Sequence, residues 1–185
     1  MPERQPLEIG EERGCALLQA AAFADTVQEL DRAVRSVLGV DLPTRIDAPV
    51  HAGGHCVFKV GPERFWIAGP QDNWVASLRD AVPSAIGSIT PLSHGRTRLF
   101  IEGPAAREVL AQGIALDLHP DVFRRGACAL TGLQGTPILL HRTGCQRYEL
   151  YVLRTFADWI WEWLADAALP LGCKSPERGS AMPTA

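Results

Sequence analysis

Apolar residues along the chain follow two rhythms, every second position or every third to fourth, and the rhythm changes at glycines and prolines. Residues 1–14 are polar and predict an N-terminal arm. Residues 15–23 (CALLQAAAF) read as a strand, although the alanines suit a helix equally well. In DTVQELDRAVRSVLG, Asp25 and Gln28 have the spacing of a capping box. Val27, Leu30, Val34, Val37 and Leu38 share one helical face, and Gly39 stops the helix. Residues 41–54 hold prolines, aspartates and the Gly53–Gly54 pair and predict a loop. CVFKVGPERFWIAG predicts a hairpin turning at Gly61–Pro62–Glu63. A helix over 72–82 follows, with Trp74, Val75, Leu78 and Val82 on its apolar side, and Pro83 ends it.

The second half runs in the same order. RTRLFIEG (96–103) alternates Arg98, Phe100 and Glu102 against Leu99 and Ile101, the pattern of a half-buried strand. Pro104 takes a first helical position, Val109 and Leu110 are apolar, and Gly113 closes that helix. A loop over 114–126 leads to a strand at 127–133, a turn at Gln134–Gly135 and a second hairpin, TPILLHRTGCQRYELYVL. Thr155 is placed to cap a final helix, FADWIWEWLADAAL. Leu18 and Leu99 lie 81 residues apart, as do Phe58 and Leu139, while Trp74 and Trp159 lie 85 apart. These offsets predict a duplication: two quasi-repeated β-α-β-β-α units, about 15–90 and 91–172, forming one α+β domain with antiparallel sheet. Residues 173–185 are small and polar and predict a disordered tail.

Composition narrows the function. Of 185 residues, 46% are apolar and 21% charged, enough to bury a core without disulfide or metal staples. The net charge is −3 and the basic residues form no run, which argues against a nucleic-acid partner. No apolar stretch has the length of a membrane span, and the charged start lacks the apolar core of a signal peptide, so a cytoplasmic location is expected. Cys15, Cys56, Cys128, Cys145 and Cys173 contain no Cys-x-x-Cys pair and read as reduced structural thiols.

Few residue clusters suggest chemistry. His51, His55 and Cys56 are the best candidates for metal ligands, but Ala52–Gly53–Gly54 between the histidines opposes a helix, and no fourth ligand is nearby. The flexible-loop reading is preferred, with no metal expected. Ser93 and His94 are adjacent and would point to opposite faces of a strand, so they do not make a base–nucleophile pair. No glycine-rich phosphate loop is present, and neither Gly53–Gly54 nor Gly135 forms part of one. From Val122 through Tyr148 there is no Asp or Glu, so the second half looks catalytically empty. No catalytic or cofactor-binding residue is expected in this chain.

Taken together, several motifs resemble one family. They are Asp117–Leu118–His119–Pro120, Phe123, Gly126 and Thr131, then PILLHRTG, then Arg154–Thr155–Phe156–Ala157 with Trp159, Trp161 and Trp163. VGPERFWIAGP (60–70) and LSHGRTRLFIEGPAAREVL (92–110) fit the same pattern. The order and spacing over about 15–172 resemble the gamma subunit of heterotetrameric sarcosine oxidase, which is similar in turn to the folate-binding domain of the glycine-cleavage T-protein. Leu92–Ser93–His94 and Gly103–Pro104 suit that second likeness. Leu133–Gln134–Gly135–Thr136–Pro137–Ile138 departs from it, lacking the T-protein's Asn and paired acids.

The resemblance implies a flavin-dependent complex that demethylates sarcosine to glycine. Hydrogen peroxide is released, and the one-carbon unit leaves as formaldehyde or as 5,10-methylenetetrahydrofolate. It implies alpha, beta and delta partner subunits carrying FAD, FMN, NAD, tetrahydrofolate and zinc, with this chain a non-catalytic assembly subunit. The alternative is a stand-alone folate-binding protein or an aminomethyltransferase-like one-carbon enzyme. Two residues are candidates for the partner interface. Arg154 precedes the expected cap. Trp161 lies off the stripe Phe156, Trp159, Ile160, Trp163, Leu164, Ala167 that is expected to face the sheet.

Overall fold

The computed structural model describes residues 7–171. The strands are β1 (Glu8–Glu12), β2 (Cys15–Ala22), β3 (Val50–Ala52), β4 (His55–Gly61), β5 (Arg64–Pro70), β6 (Gly87–Pro91), β7 (Arg96–Glu102), β8 (Cys128–Leu133), β9 (Thr136–Arg142) and β10 (Arg147–Leu153). The helices are α1 (Val27–Leu38), α2 (Trp74–Ala81), α3 (Ala106–Ala111) and α4 (Ala157–Ala168), with 3-10 turns at Arg154–Phe156 and Leu169–Leu171. Two five-stranded sheets form, in the orders β3-β4-β5-β2-β6 and β1-β7-β10-β9-β8.

The expected duplication is visible in these orders. β2, β3, β4 and β5 of one sheet correspond to β7, β8, β9 and β10 of the other. The remaining edge position is filled by β6 in the first sheet and by β1 in the second. Each therefore pairs beyond its own place in the repeat: β1 precedes β2 yet pairs with β7, and β6 precedes β7 yet pairs with β2. Leu18 in β2 and Leu99 in β7 are both buried, as are Phe58 in β4 and Leu139 in β9. The tryptophan pair does not share this likeness, since Trp74 is buried and Trp159 exposed.

The chain divides into two compact units. One comprises Arg13–Arg96 with Gly126–Leu130. Its core sets Leu30, Val34 and Leu38 of α1, with Trp74 and Leu78 of α2, among Leu18, Ala20, Val57, Phe65 and Ile67 of the sheet. The α1 stripe is the expected one, and Gly39 ends the helix in the left-handed conformation at φ 67°, its N–H donating to the Arg35 carbonyl. The capping box is not formed; Thr26 takes the cap position, and its hydroxyl donates to the Ile86 carbonyl at 2.6 Å. Gly53 and Gly54, both at positive φ, make a two-residue turn joining β3 to β4, so the end of the expected loop is a hairpin.

Strand β6 lies against β2 at a close approach. A Cβ built on Gly87 would stand 2.0 Å from the backbone oxygen of Ala21. Because that atom is backbone, it cannot swing aside, and Gly87→Ala must lift β6 from β2. We expect a loss of about 1–3 kcal/mol, read as a lowered urea midpoint. An unchanged midpoint would contradict the pairing.

The second unit comprises the described residues through Glu12, Thr97–Arg125 and the described residues from Thr131. Along β7, Thr97, Leu99 and Ile101 are buried while Arg98, Phe100 and Glu102 take the other face. The segment expected as a polar arm contains β1. Leu7 and Ile9, each 6% exposed, alternate with Glu8, a strand pattern hidden among charges. The expected tail, 173–185, lies outside the described residues.

Candidate functional site

A group of paired ionisable side chains lies on one face of the second unit's sheet. Strand alternation puts Arg98, Phe100 and Glu102 of β7 on one side, and Arg147, Glu149 and Tyr151 of β10 on one side. Glu12 of β1 stands opposite Arg98 in the ladder. Arg147 reaches Glu12, donates to Glu102 Oε2 at 2.6 Å and lies 3.9 Å from Glu149. Its guanidinium also sits 4.1 Å from the centre of the Phe100 ring. Arg98 lies 3.5 Å from Glu12 and 3.7 Å from Glu149, and donates weakly to the Tyr151 hydroxyl at 3.5 Å. The Tyr151 hydroxyl in turn lies 3.4 Å from Glu149 Oε2.

The chemistry of this group is mutual compensation. Two guanidinium groups serve three carboxylates, and the Phe100 ring packs against the Arg147 guanidinium. Glu149 is buried, and that burial pushes its carboxyl above the ordinary glutamate range despite the opposing pull of Arg98 and then Arg147. The acid-free reading of residues 122–148 stops one residue short of this carboxylate. The i, i+2, i+4 spacing of Arg147, Glu149 and Tyr151 was the signal that could have found it, matched against Arg98 and Glu102.

The candidate ligands are only partly brought together. His51 and Cys56 face each other across the β3–β4 ladder, with His51 Nε2 and Cys56 Sγ 3.7 Å apart. Burial lowers the His51 pKa, which favours the neutral imidazole. His55 instead packs its ring edge-on to Trp74, 5.1 Å between centres, over Gly69. Ser93 is structural: its hydroxyl accepts from the Leu17 N–H at 2.9 Å and lies 3.2 Å from the Leu17 carbonyl, continuing the pairing of β2. His94 is exposed beside it. Gln134 and Gly135, both at positive φ, form the turn between β8 and β9. Cys15, Cys56, Cys128 and Cys145 form no disulfide. Burial, with a smaller contribution from Asp47, pushes the Cys128 thiol up to about 12, and it donates to the Ile46 carbonyl at 3.0 Å.

The final helix corrects the reading of Trp161. That residue is buried, together with Ala157, Ile160, Leu164 and Ala168, whereas Phe156 and Trp159 are each 42% exposed. The reason is phase. Phe156 belongs to the 3-10 turn that also holds Arg154 and Thr155, and the helix starts at Ala157. A stripe counted from Phe156 is therefore rotated by about 100° from the true one. Trp161 thus lies in the core and is unavailable as an exposed interface anchor. Arg154 is exposed at the start of the turn.

The sequence and fold both match known proteins. Residues 21–169 match the model of the sarcosine oxidase, gamma subunit family. The sarcosine oxidase subunit gamma of Corynebacterium sp. (strain U-96) is 32% identical over 137 residues, covering 73% of this chain and 67% of the relative. That of Arthrobacter sp. is 31% identical over 167 residues, covering 85% and 82%. Among solved structures, a chain of the heterotetrameric sarcosine oxidase from Corynebacterium sp. U-96 aligns with a TM-score of 0.83 at 27% identity, covering 92% of this chain and 88% of that one. The glycine cleavage system aminomethyltransferase T from Bartonella henselae aligns with a TM-score of 0.63 at 15% identity, over 87% of this chain and 46% of that one, a likeness of fold alone. Among the described residues, no helix is long and apolar enough to cross a membrane. With the family model spanning most of the chain and both relatives above 30% identity, this protein belongs to the sarcosine oxidase gamma subunit family.

Proposed function

We propose that this chain is the non-catalytic, assembly-type gamma subunit of a heterotetrameric sarcosine oxidase. The observation that carries the reading is the alignment with a chain of such an oxidase over 92% of this chain and 88% of that one. The ion-pair face supports it, because Arg98, Arg147, Glu12, Glu102 and Glu149 are engaged with one another. A substrate amine or carboxylate would have to break those pairs before it could bind there. In this reading the alpha, beta and delta subunits supply FAD, FMN, NAD, tetrahydrofolate and zinc, and the oxidation of the N-methyl group takes place on them in the cytoplasm.

The chain purified alone is then colourless and releases no hydrogen peroxide with sarcosine. Visible spectra and a peroxide assay at micromolar protein check both points. A bound flavin spectrum, or peroxide formation by the isolated chain, would overturn the non-catalytic assignment.

A further inference from the structure

Helix α4 is divided into three faces. At about 100° per residue, the buried residues Ala157, Ile160, Trp161, Leu164 and Ala168 fill one third of its circumference. Asp158, Glu162 and Asp166 fill a second third, all exposed. Trp159, Trp163 and Ala167 fill the last, continued upstream by Phe156 in the preceding turn and downstream by Leu171. Trp163 is half-buried, its indole lying over Gly113, where an added Cβ would come within 2.7 Å of the ring. Phe156 and Trp159, by contrast, are each 42% exposed. From Thr155 to Leu171 there is no lysine or arginine. In sequence, Arg154 precedes this stretch and Lys174 follows it.

An aromatic strip bordered by Glu162 and Asp166, neither with a basic residue four positions away, is not an ordinary solvated face, which mixes both charge signs along i, i+4 pairs. Its charge selects its occupant. Resting on the subunit reading above, we propose that the Phe156–Trp159 face of α4 docks another subunit of the oxidase. The occupant is an apolar groove rimmed by lysine or arginine, which receives the two rings and pairs with Glu162 and Asp166. The aromatic centre supplies most of the affinity, and the acidic border sets orientation and on-rate. Trp159 thereby takes the role expected of Trp161, one helical phase away.

The test reconstitutes the full-length chain with the remaining subunits and measures association at about 0.05 and 0.5 M salt. Trp159→Ala is expected to weaken association at least about 30-fold with an unchanged far-UV spectrum and melting temperature. Glu162→Gln with Asp166→Asn is expected to slow association and flatten its salt dependence. Wild-type affinity in both variants overturns the docking face while leaving the subunit reading intact. Failure of the wild-type chain to associate overturns the subunit reading and the face with it. A wild-type homodimer that Trp159→Ala dissociates would make the occupant a second copy, which also overturns the proposal.

Discussion

Replacing Arg147 by methionine is expected to destabilise the chain by about 3 kcal/mol, because the change leaves a buried carboxylate short of a partner. Methionine keeps much of the stem that covers Phe100 but removes the guanidinium 4.1 Å from that ring. It also removes the pairs with Glu12 and Glu102 and one of the two cations near Glu149. Glu102 is half-exposed and can be rehydrated, so its lost pair costs little. Glu149 cannot, and it accounts for most of the loss.

The same variant should alter the dependence on pH. Burial raises the Glu149 carboxyl in the folded chain, so the folded state holds this proton more tightly than the unfolded state does. Its contribution to stability is therefore complete below the ordinary glutamate range and is lost as pH rises through the elevated folded value. Without Arg147 the folded value climbs further and the loss extends over more of the scale. Urea midpoints at about pH 5 and pH 8 should separate more widely for Arg147→Met than for wild type. Equal midpoints for the two proteins at both pH values would mean that the ion-pair face contributes nothing.

Trp161→Ala is the second large effect, expected to cost about 3–5 kcal/mol because it empties a buried indole site on the core face of α4. Trp159→Ala, two positions earlier, should cost less than about 1 kcal/mol, since its ring is 42% exposed. The contrast is the useful quantity, because both substitutions remove the same side chain from the same helix. Melting curves that ranked the two in the opposite order would place the core stripe where counting from Phe156 puts it.

Those two tryptophans illustrate what the sequence can disclose. The α1 stripe was legible because its apolar positions are aliphatic, spaced at one helical period and closed by Gly39. In α4 apolar residues occupy two of three faces, so periodicity allows two phases, and the 3-10 turn at Arg154–Phe156 decides between them. The β4–β5 hairpin was legible from its Gly61–Pro62–Glu63 turn, and β7 from its alternation. Strands β1, β3 and β6 were not, since they are three to five residues long and carry their pairing through backbone groups. The repeat was visible only in part, because β1 and β6 exchange sheets. The ion-pair face escaped notice because charges alternating along a strand look like an ordinary solvent face. Only the ladders place Glu12 beside Arg98 and make Arg147 a neighbour of all three acids.

The subunit assignment is tested most directly by co-purification. The full-length chain, tagged, would be co-expressed with the alpha, beta and delta subunits, captured, and examined for subunit content, flavin absorbance and sarcosine-dependent peroxide. The account predicts a yellow assembly containing this chain in fixed proportion to the others, with activity in the assembly and none in the chain alone. Recovery of the chain by itself while the other subunits assemble and turn over sarcosine without it would contradict the account.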